Sequence, residues 1–248
     1  MKCGEVSSVG IDISKCSLAF SHHVILSNFN LNIAKGKWVC LLGKSGVGKT
    51  SLLKLILGLH KLQAGHICAS DGQPLHSRTA YMAQQDLLMP WLSILDNALL
   101  GYRLRGEDVK RSPQISRARS LLSHVGLSHV LSLKPQALSA GMRQRVALVR
   151  TLMENRPIIL MDEPFSALDV LTRFKMHELM AELLCNKTVL LITHDPFEAI
   201  RLADVIYVMS GEPAQLSESI IPTGERVRDA SSQSTLELYA QLLHLLSR

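Results

Sequence analysis

The chain has 248 residues, 47% of them hydrophobic, enough for one large α/β domain or one domain with a helical insertion. Aromatic residues make up only 4%, which argues against surfaces that stack single-stranded nucleic acid. The 27 basic and 21 acidic side chains leave a net charge of +6 without a dense Lys/Arg block; a solvated surface, attraction of an anionic ligand and proximity to anionic lipid headgroups all fit that excess.

The N-terminal Met1-Lys2-Cys3-Gly4-Glu5 lacks the apolar core of a signal peptide. No apolar run approaches the ~18 residues of a membrane span. The five cysteines, Cys3, Cys16, Cys40, Cys68 and Cys185, form no CxxC pair. Neither a disulfide framework nor a zinc site is expected, and a reducing cytoplasm fits. Residues 9–75 read as strand-rich. Ile11-Asp12-Ile13 and Leu31-Asn32-Ile33 alternate like half-buried strands, and Lys35-Gly36-Lys37 breaks the pattern as a turn. Trp38-Val39-Cys40-Leu41-Leu42 reads as a fully buried strand.

Directly after it comes Gly43-Lys44-Ser45-Gly46-Val47-Gly48-Lys49-Thr50, which fits G-x-x-x-x-G-K-[ST], and then the helix-forming run 51–57. Strand, glycine-rich loop and helix make a phosphate cradle. The glycines let successive N–H groups point into one concavity, and the helix adds its unpaired N–H groups and dipole. Lys49 would reach the β- and γ-phosphates, and the Thr50 hydroxyl would ligate Mg2+. A nucleoside triphosphate, ATP, is the expected ligand, held by residues 43–50 and Ser51.

Ala64-Gly65-His66-Ile67 followed by Ser70-Asp71-Gly72-Gln73-Pro74 reads as a hairpin-like segment, and Thr79-Ala80-Tyr81-Met82-Ala83 as a short strand. From about 86 to 137 the pattern turns helical, with helices expected over 90–100 and 115–122. An α/β rhythm then returns: a helix to residue 155, a strand over 158–161, a helix over 171–184, a strand over 188–193 and a helix over 196–202. Strands alternating with helices predict a mostly parallel sheet covered on both faces. Residues 211–234 are polar and turn-rich, and 235–246 have the spacing of an amphipathic helix that docks on the core. One domain spans 1–248.

Ile158-Ile159-Leu160-Met161 ends in Asp162-Glu163, two carboxylates at the carboxyl end of a strand, where ligands gather in open α/β sheets. Asp162 would hold Mg2+ beside Thr50, and Glu163 would polarise an attacking water as general base. His194 ends a second buried strand; a structural role fits it as well as contact with the γ-phosphate. Gln84, past the strand at 79–83, is a candidate Mg2+ ligand that carries no signal by itself.

Leu138-Ser139-Ala140-Gly141-Met142-Arg143-Gln144-Arg145 joins these pieces. With the phosphate loop, Gln84, Asp162-Glu163, Ser166-Ala167-Leu168-Asp169 and His194 in the same order, the chain resembles the ATP-binding subunit of ATP-binding-cassette transporters over about 10–210. The resemblance implies a P-loop NTPase with a mostly parallel sheet, an N-terminal antiparallel β subdomain and an inserted α-helical subdomain at about 86–137. It implies a homodimer in which ATP on one chain's loop also touches Ser139, Gly141 and Met142 of the second copy. The family more often has LSGGQ; Ala140 and Met142 depart from it, and Ala140 adds a methyl group at the close-approach surface. Phe20 lies where the family stacks an aromatic on adenine, although an ordinary core Phe also fits the segment. Lys49, Glu163 and His194 would be the catalytic groups, and Gln84 the hinge to the helical subdomain.

The run Met82-Ala83-Gln84-Gln85-Asp86-Leu87-Leu88-Met89-Pro90-Trp91 is similar to importers of nitrate, sulfonates, taurine and pyrimidine thiamine precursors, hydroxymethylpyrimidine importers most of all. That implies an ATPase on the cytoplasmic face of the inner membrane, peripheral to membrane permease subunits that a solute-binding protein feeds, with no nucleic-acid partner. The other readings are an exporter subunit and a non-transport ATPase for repair or translation. The chain has neither a long coiled coil nor a second cassette, and the Pro-Trp segment favours import.

Overall fold

The structure is a computed structural model that describes residues 8–21, 23–109 and 113–247. Cys3 and the N-terminal segment read above lie outside the described residues.

Two sheets form. In the smaller one, β1 (Ile11–Phe20) pairs antiparallel with β2 (His23–Ile33) on one side and β4 (Ala64–Ala69) on the other. The larger sheet contains β3 (Trp38–Leu42), β5 (Thr79–Met82), β6 (Ile158–Asp162), β7 (Thr188–Ile192), β8 (Val205–Ser210) and β9 (Gln215–Leu216), in the order β5-β6-β7-β3-β8-β9. Its strands pair parallel except β9, which is antiparallel to β8.

Strands β3, β6 and β7 are buried at every position, because both faces of the sheet are covered. The period of two still sorts their side chains. Trp38, Cys40 and Leu42 face one core, shared with α5 (Ala140–Met153) and α7 (Pro196–Leu202). Val39 and Leu41 face the other, shared with α1 (Lys49–Ile56) and the antiparallel sheet. α6 (Val170–Leu183) follows β6, and α8 (Gln233–Ser247) lays Tyr239 on Phe197 of α7 at a centroid distance of 4.1 Å. The amphipathic stretch at 235–246 lies within α8, and Leu242 supplies its fully buried contact.

Several local expectations change. Residues 64–74 are not a hairpin: 64–69 pair with β1, and the turn after them closes on itself through Ala69 N to Gln73 O at 2.9 Å. The turn forms where its residues stand, but no strand directly follows it, and 64–69 take β1 as their partner. Residues 90–93 are not helical. The buried Asn97 amide binds Met89 N, Met89 O, Leu92 O and Ser93 O and folds this stretch into a turn. The helix starts only after Ser93 caps Asp96 N at 3.1 Å, as α2 (Ile94–Ala98), followed by α3 (Leu100–Leu104) and α4 (Pro113–His124). Strands β8 and β9 were not expected. Cys16, Cys40 and Cys68 are free thiols.

Candidate functional site

At Leu42 the chain leaves β3 and turns through Gly43 into the loop before α1. A Cβ on Gly43 would lie 2.5 Å from the Met209 carbonyl oxygen of neighbouring β8. Gly48 has φ +110°, and a Cβ there would lie 2.6 Å from Ile25 Cγ2. Close approach and a left-handed backbone thus require these glycines. α1 begins with no side-chain cap, which leaves its first N–H groups open to an anion. Lys49 is 6% exposed and donates from Nζ to the carbonyls of Gly43 at 2.7 Å and Lys44 at 2.9 Å. Burial lowers its pKa, while Glu163 and Asp162 pull the other way.

Strand order then collects the polar groups. β6 and β7 are neighbours with Asp162 opposite Ile192, so the residues just past both strands converge. Thr50 Oγ1 donates to Asp162 Oδ2 at 2.8 Å. Burial raises the Asp162 pKa, and the Thr50 hydrogen bond opposes that rise. Glu163 has φ +47°, a left-handed backbone that costs a non-glycine residue about 1–2 kcal/mol. Its N–H donates to Ile192 O at 2.8 Å, which holds it there. Strain of this kind gathers at functional positions. Gln84 Nε2 donates to Glu163 Oε2 at 3.1 Å, and His194 Nδ1 lies 3.3 Å from the same oxygen.

Ser45, Gly46, Gly48, Lys49, Thr50, Ser51, Gln84 and Glu163 line one cleft of about 220 Å³. The sequence-derived candidates from the loop, the strand at 79–83 and β6 therefore meet in one place, with His194 at its rim, 63% exposed. A second cleft, of about 350 Å³, borders the outer side of the loop, where residues 44–47 face 208–212 and Leu245 and Leu246 of α8. No local signal links residue 245 to residue 44.

The remaining candidates lie apart. Phe20 is 44% exposed, rests edge-on against His60 at 5.0 Å and lines a third cleft with Leu18, Ala19 and residues 60–63. Ser139, Gly141 and Met142 form the start of α5 and line neither loop cleft. The Ser139 hydroxyl caps its own helix by accepting from Met142 N at 3.3 Å. A Cβ on Gly141 would lie 3.4 Å from Ala167 O, so α5 borders the 166–169 segment. Met142 packs partly against the core.

Two arginines of α5 also shape the site. Arg143 Nε donates to Asp86 Oδ2 at 2.8 Å, and Arg150 donates to the carbonyls of Asp86 and Leu87 at 2.7 Å each. They fasten the segment after Gln84 to α5. The sequence reading missed this role, although positions seven apart on a helix share a face.

A family model described as ABC transporter matches residues 26–166. An "Uncharacterized ABC transporter ATP-binding protein" of Haemophilus influenzae is 40% identical over 95% of this chain and 98% of its own length. Aliphatic sulfonates import ATP-binding protein SsuB 1 of Pseudomonas fluorescens is 38% identical over 95% of this chain and 86% of its own. Among solved structures, the ATP-binding cassette MJ0796, a dimer in a post-hydrolysis state bound to ADP and Pi, superposes with a TM-score of 0.75 at 28% identity. That match covers 87% of this chain and all of the cassette.

Proposed function

The chain belongs to the ABC transporter family as an ATP-binding subunit and ATPase of the importer branch, and from that premise we propose that it powers uptake of a small solute through separate membrane permease subunits. The solute is of the nitrate, sulfonate, taurine or hydroxymethylpyrimidine type, and the sulfonate-import relatives support the sulfonate member of that set. The subunit sits at the cytoplasmic face of the membrane as a peripheral protein. Among the described residues no helix is long and apolar enough to cross a membrane. Leu87 and Trp91, 53% and 67% exposed next to Gln84, offer the permease an apolar contact.

One observation carries the mechanism: at the mouth of the phosphate loop Thr50 binds Asp162, and the next residue, Glu163, has one carboxylate oxygen in contact with both Gln84 and His194. The open N–H groups of α1 and the Lys49 ammonium bind the β- and γ-phosphates of ATP. The Thr50 hydroxyl, an Asp162 oxygen and the Gln84 amide oxygen form a hard-oxygen donor set that fits Mg2+, which when bound neutralises phosphate charge. Glu163 accepts the proton of the attacking water. His194 donates toward the γ-phosphate and orients Glu163 through the 3.3 Å contact. Phe20 supports the adenine. Ser139, Gly141 and Met142 act on the ATP of a second copy, so the working unit is a homodimer, as the dimeric cassette neighbours support. Loss of the γ-phosphate releases that bridge, and the segment after Gln84 passes the motion to the permease.

Glu163→Gln tests this reading. ATP hydrolysis should fall by about 10²–10⁴-fold, while ATP binding persists and ATP with Mg2+ converts the monomer into a dimer on size-exclusion chromatography. Undiminished turnover would overturn the assignment of Glu163 as base.

A further inference from the structure

We propose that Arg173 is a positioning residue of the hydrolytic site, a single guanidinium that holds His194 and the 166–169 segment in fixed relation to Glu163. The inference rests on the reading of Glu163 and His194 given above.

Arg173 lies in the first turn of α6, with its N–H bonded to Asp169 O at 2.9 Å. Its side chain is 25% exposed and reaches in three directions. Nη2 donates to Leu168 O at 3.2 Å, and Nη1 donates to Asp195 Oδ2 at 2.8 Å. Nε lies 3.6 Å from Glu198 Oε1. Asp195 and the acid group of Glu198, whose pKa burial raises to about 7, thus face one cation.

Both acid groups are tied to the neighbours of His194. Asp195 follows it directly and caps α7 by accepting from Phe197 N at 2.8 Å. Glu198, whose side chain is 4% exposed, accepts from Thr193 Oγ1 at 2.5 Å, and Thr193 directly precedes His194. Thr193 Oγ1 also accepts from Asp195 N at 3.0 Å. The residues on either side of His194 are therefore fixed to groups that face Arg173, although the ring itself is exposed and contacts Glu163.

The other arm of the guanidinium reaches the segment after Glu163. Ser166 N and Ser166 Oγ both bind Glu163 O, at 3.3 and 3.1 Å, and Leu168 N binds Phe165 O at 3.1 Å. Movement of the Leu168 carbonyl is thereby passed to the backbone that holds Glu163 in its left-handed conformation. The same segment borders Gly141 at the start of α5. Loss of Arg173 would uncouple these two loops without touching the phosphate loop, whose residues it does not contact. Misplacement by an ångström at a reacting centre costs up to about 10²-fold in rate.

The experiment measures ATPase kinetics and ATP binding for Arg173→Ala, Arg173→Lys and Glu198→Gln in the full chain. In Arg173→Ala, kcat should fall about tenfold or more while KM for ATP stays within about twofold. The His194 ring resonance, assigned by its absence in His194→Ala, should shift. Arg173→Lys, which restores a cation between Asp195 and Glu198, should recover part of kcat and move the resonance back. If Arg173→Ala does not fold, Glu198→Gln reads the same quantities, because it keeps the side-chain shape and removes the acid group that faces Arg173. An unchanged kcat, a KM that rises as kcat falls, or an unmoved His194 resonance would overturn the proposal. A wild-type rate in Arg173→Ala beside a dead Glu163→Gln would remove the positioning role alone; full activity in both would remove the hydrolytic reading beneath it.

Discussion

At the start of α1, no side chain caps the helix, and the Lys49 amine folds onto the carbonyls of its own loop. At the start of α5, Ser139 caps Met142 N with its own hydroxyl, and the segment, exposed at Ser139 and half-buried at Gly141 and Met142, lies away from the loop clefts. Both are helix N-termini beside small residues, and both carry the partial positive charge of aligned peptide dipoles. Only the first is surrounded by a cation, two carboxylates and a glutamine from the same chain. The second is satisfied as a helix end and incomplete as a binding site. An α-helix terminus becomes an anion site when the surrounding fold leaves its N–H groups open and adds charge. Of these two ends the fold does so at the first, which is why they are proposed to serve one ATP only across two copies.

Removing the charge at the first end should produce the largest effect. Lys49→Ala should lower kcat/KM for ATP by about 10²–10³-fold and abolish ATP-induced thermal stabilisation. A variant that still binds ATP would equate the two helix ends. Ser139→Asp probes the second end alone. Aspartate caps as well as serine, so melting should be unchanged, while a carboxylate facing a partner's triphosphate should cut hydrolysis at least about tenfold. Nucleotide binding to the monomer should persist. Equal loss of monomer binding would place Ser139 on its own chain's ATP. Ser139→Ala, in contrast, should cost about 1 kcal/mol of stability through the lost cap.

His177 packs behind the segment that follows Glu163. It is 1% exposed, lies edge-on to Phe165 at 4.6 Å, and neither ring nitrogen has a hydrogen-bond partner among the described residues. Burial first, then the charges of Arg201 and Arg173, lower its pKa from 6.5 to about 3. The unfolded chain therefore binds a proton at this site between pH 6.5 and 3 that the folded chain refuses. Its part in stability is full above pH 6.5 and is lost as pH falls through that window. His177→Phe should lose about 2 kcal/mol less than wild type between pH 7 and 5, read from urea unfolding at both values. An equal pH dependence in both proteins would show that His177 titrates normally.

Legibility differed with range. The phosphate loop and the Asp162-Glu163 pair could be read because each is local: a buried strand ends and the required residues follow at once. The Ser139 segment could be read as a motif, but nothing local said that it turns away from Lys49. The hairpin-like segment expected at 64–74 kept its turn but not a second strand, and its first strand pairs with β1 instead. The helix expected from residue 90 failed because one buried amide, Asn97, reorganised the turn before it.

The sequence alone determined the chemistry of this protein, because glycine spacing, a lysine at a helix start and carboxylates at a strand end act within a few residues of chain. The tertiary structure decided which groups meet. Thr50 and Asp162 are 112 residues apart and touch only because β6 and β3 flank β7. Arg143 and Arg150 fasten the segment after Gln84, and Arg173 joins two loops, through contacts that depend on helix orientation over the sheet. Such contacts follow from strand order and register, which burial across the whole sheet fixes at once and no short window of sequence contains.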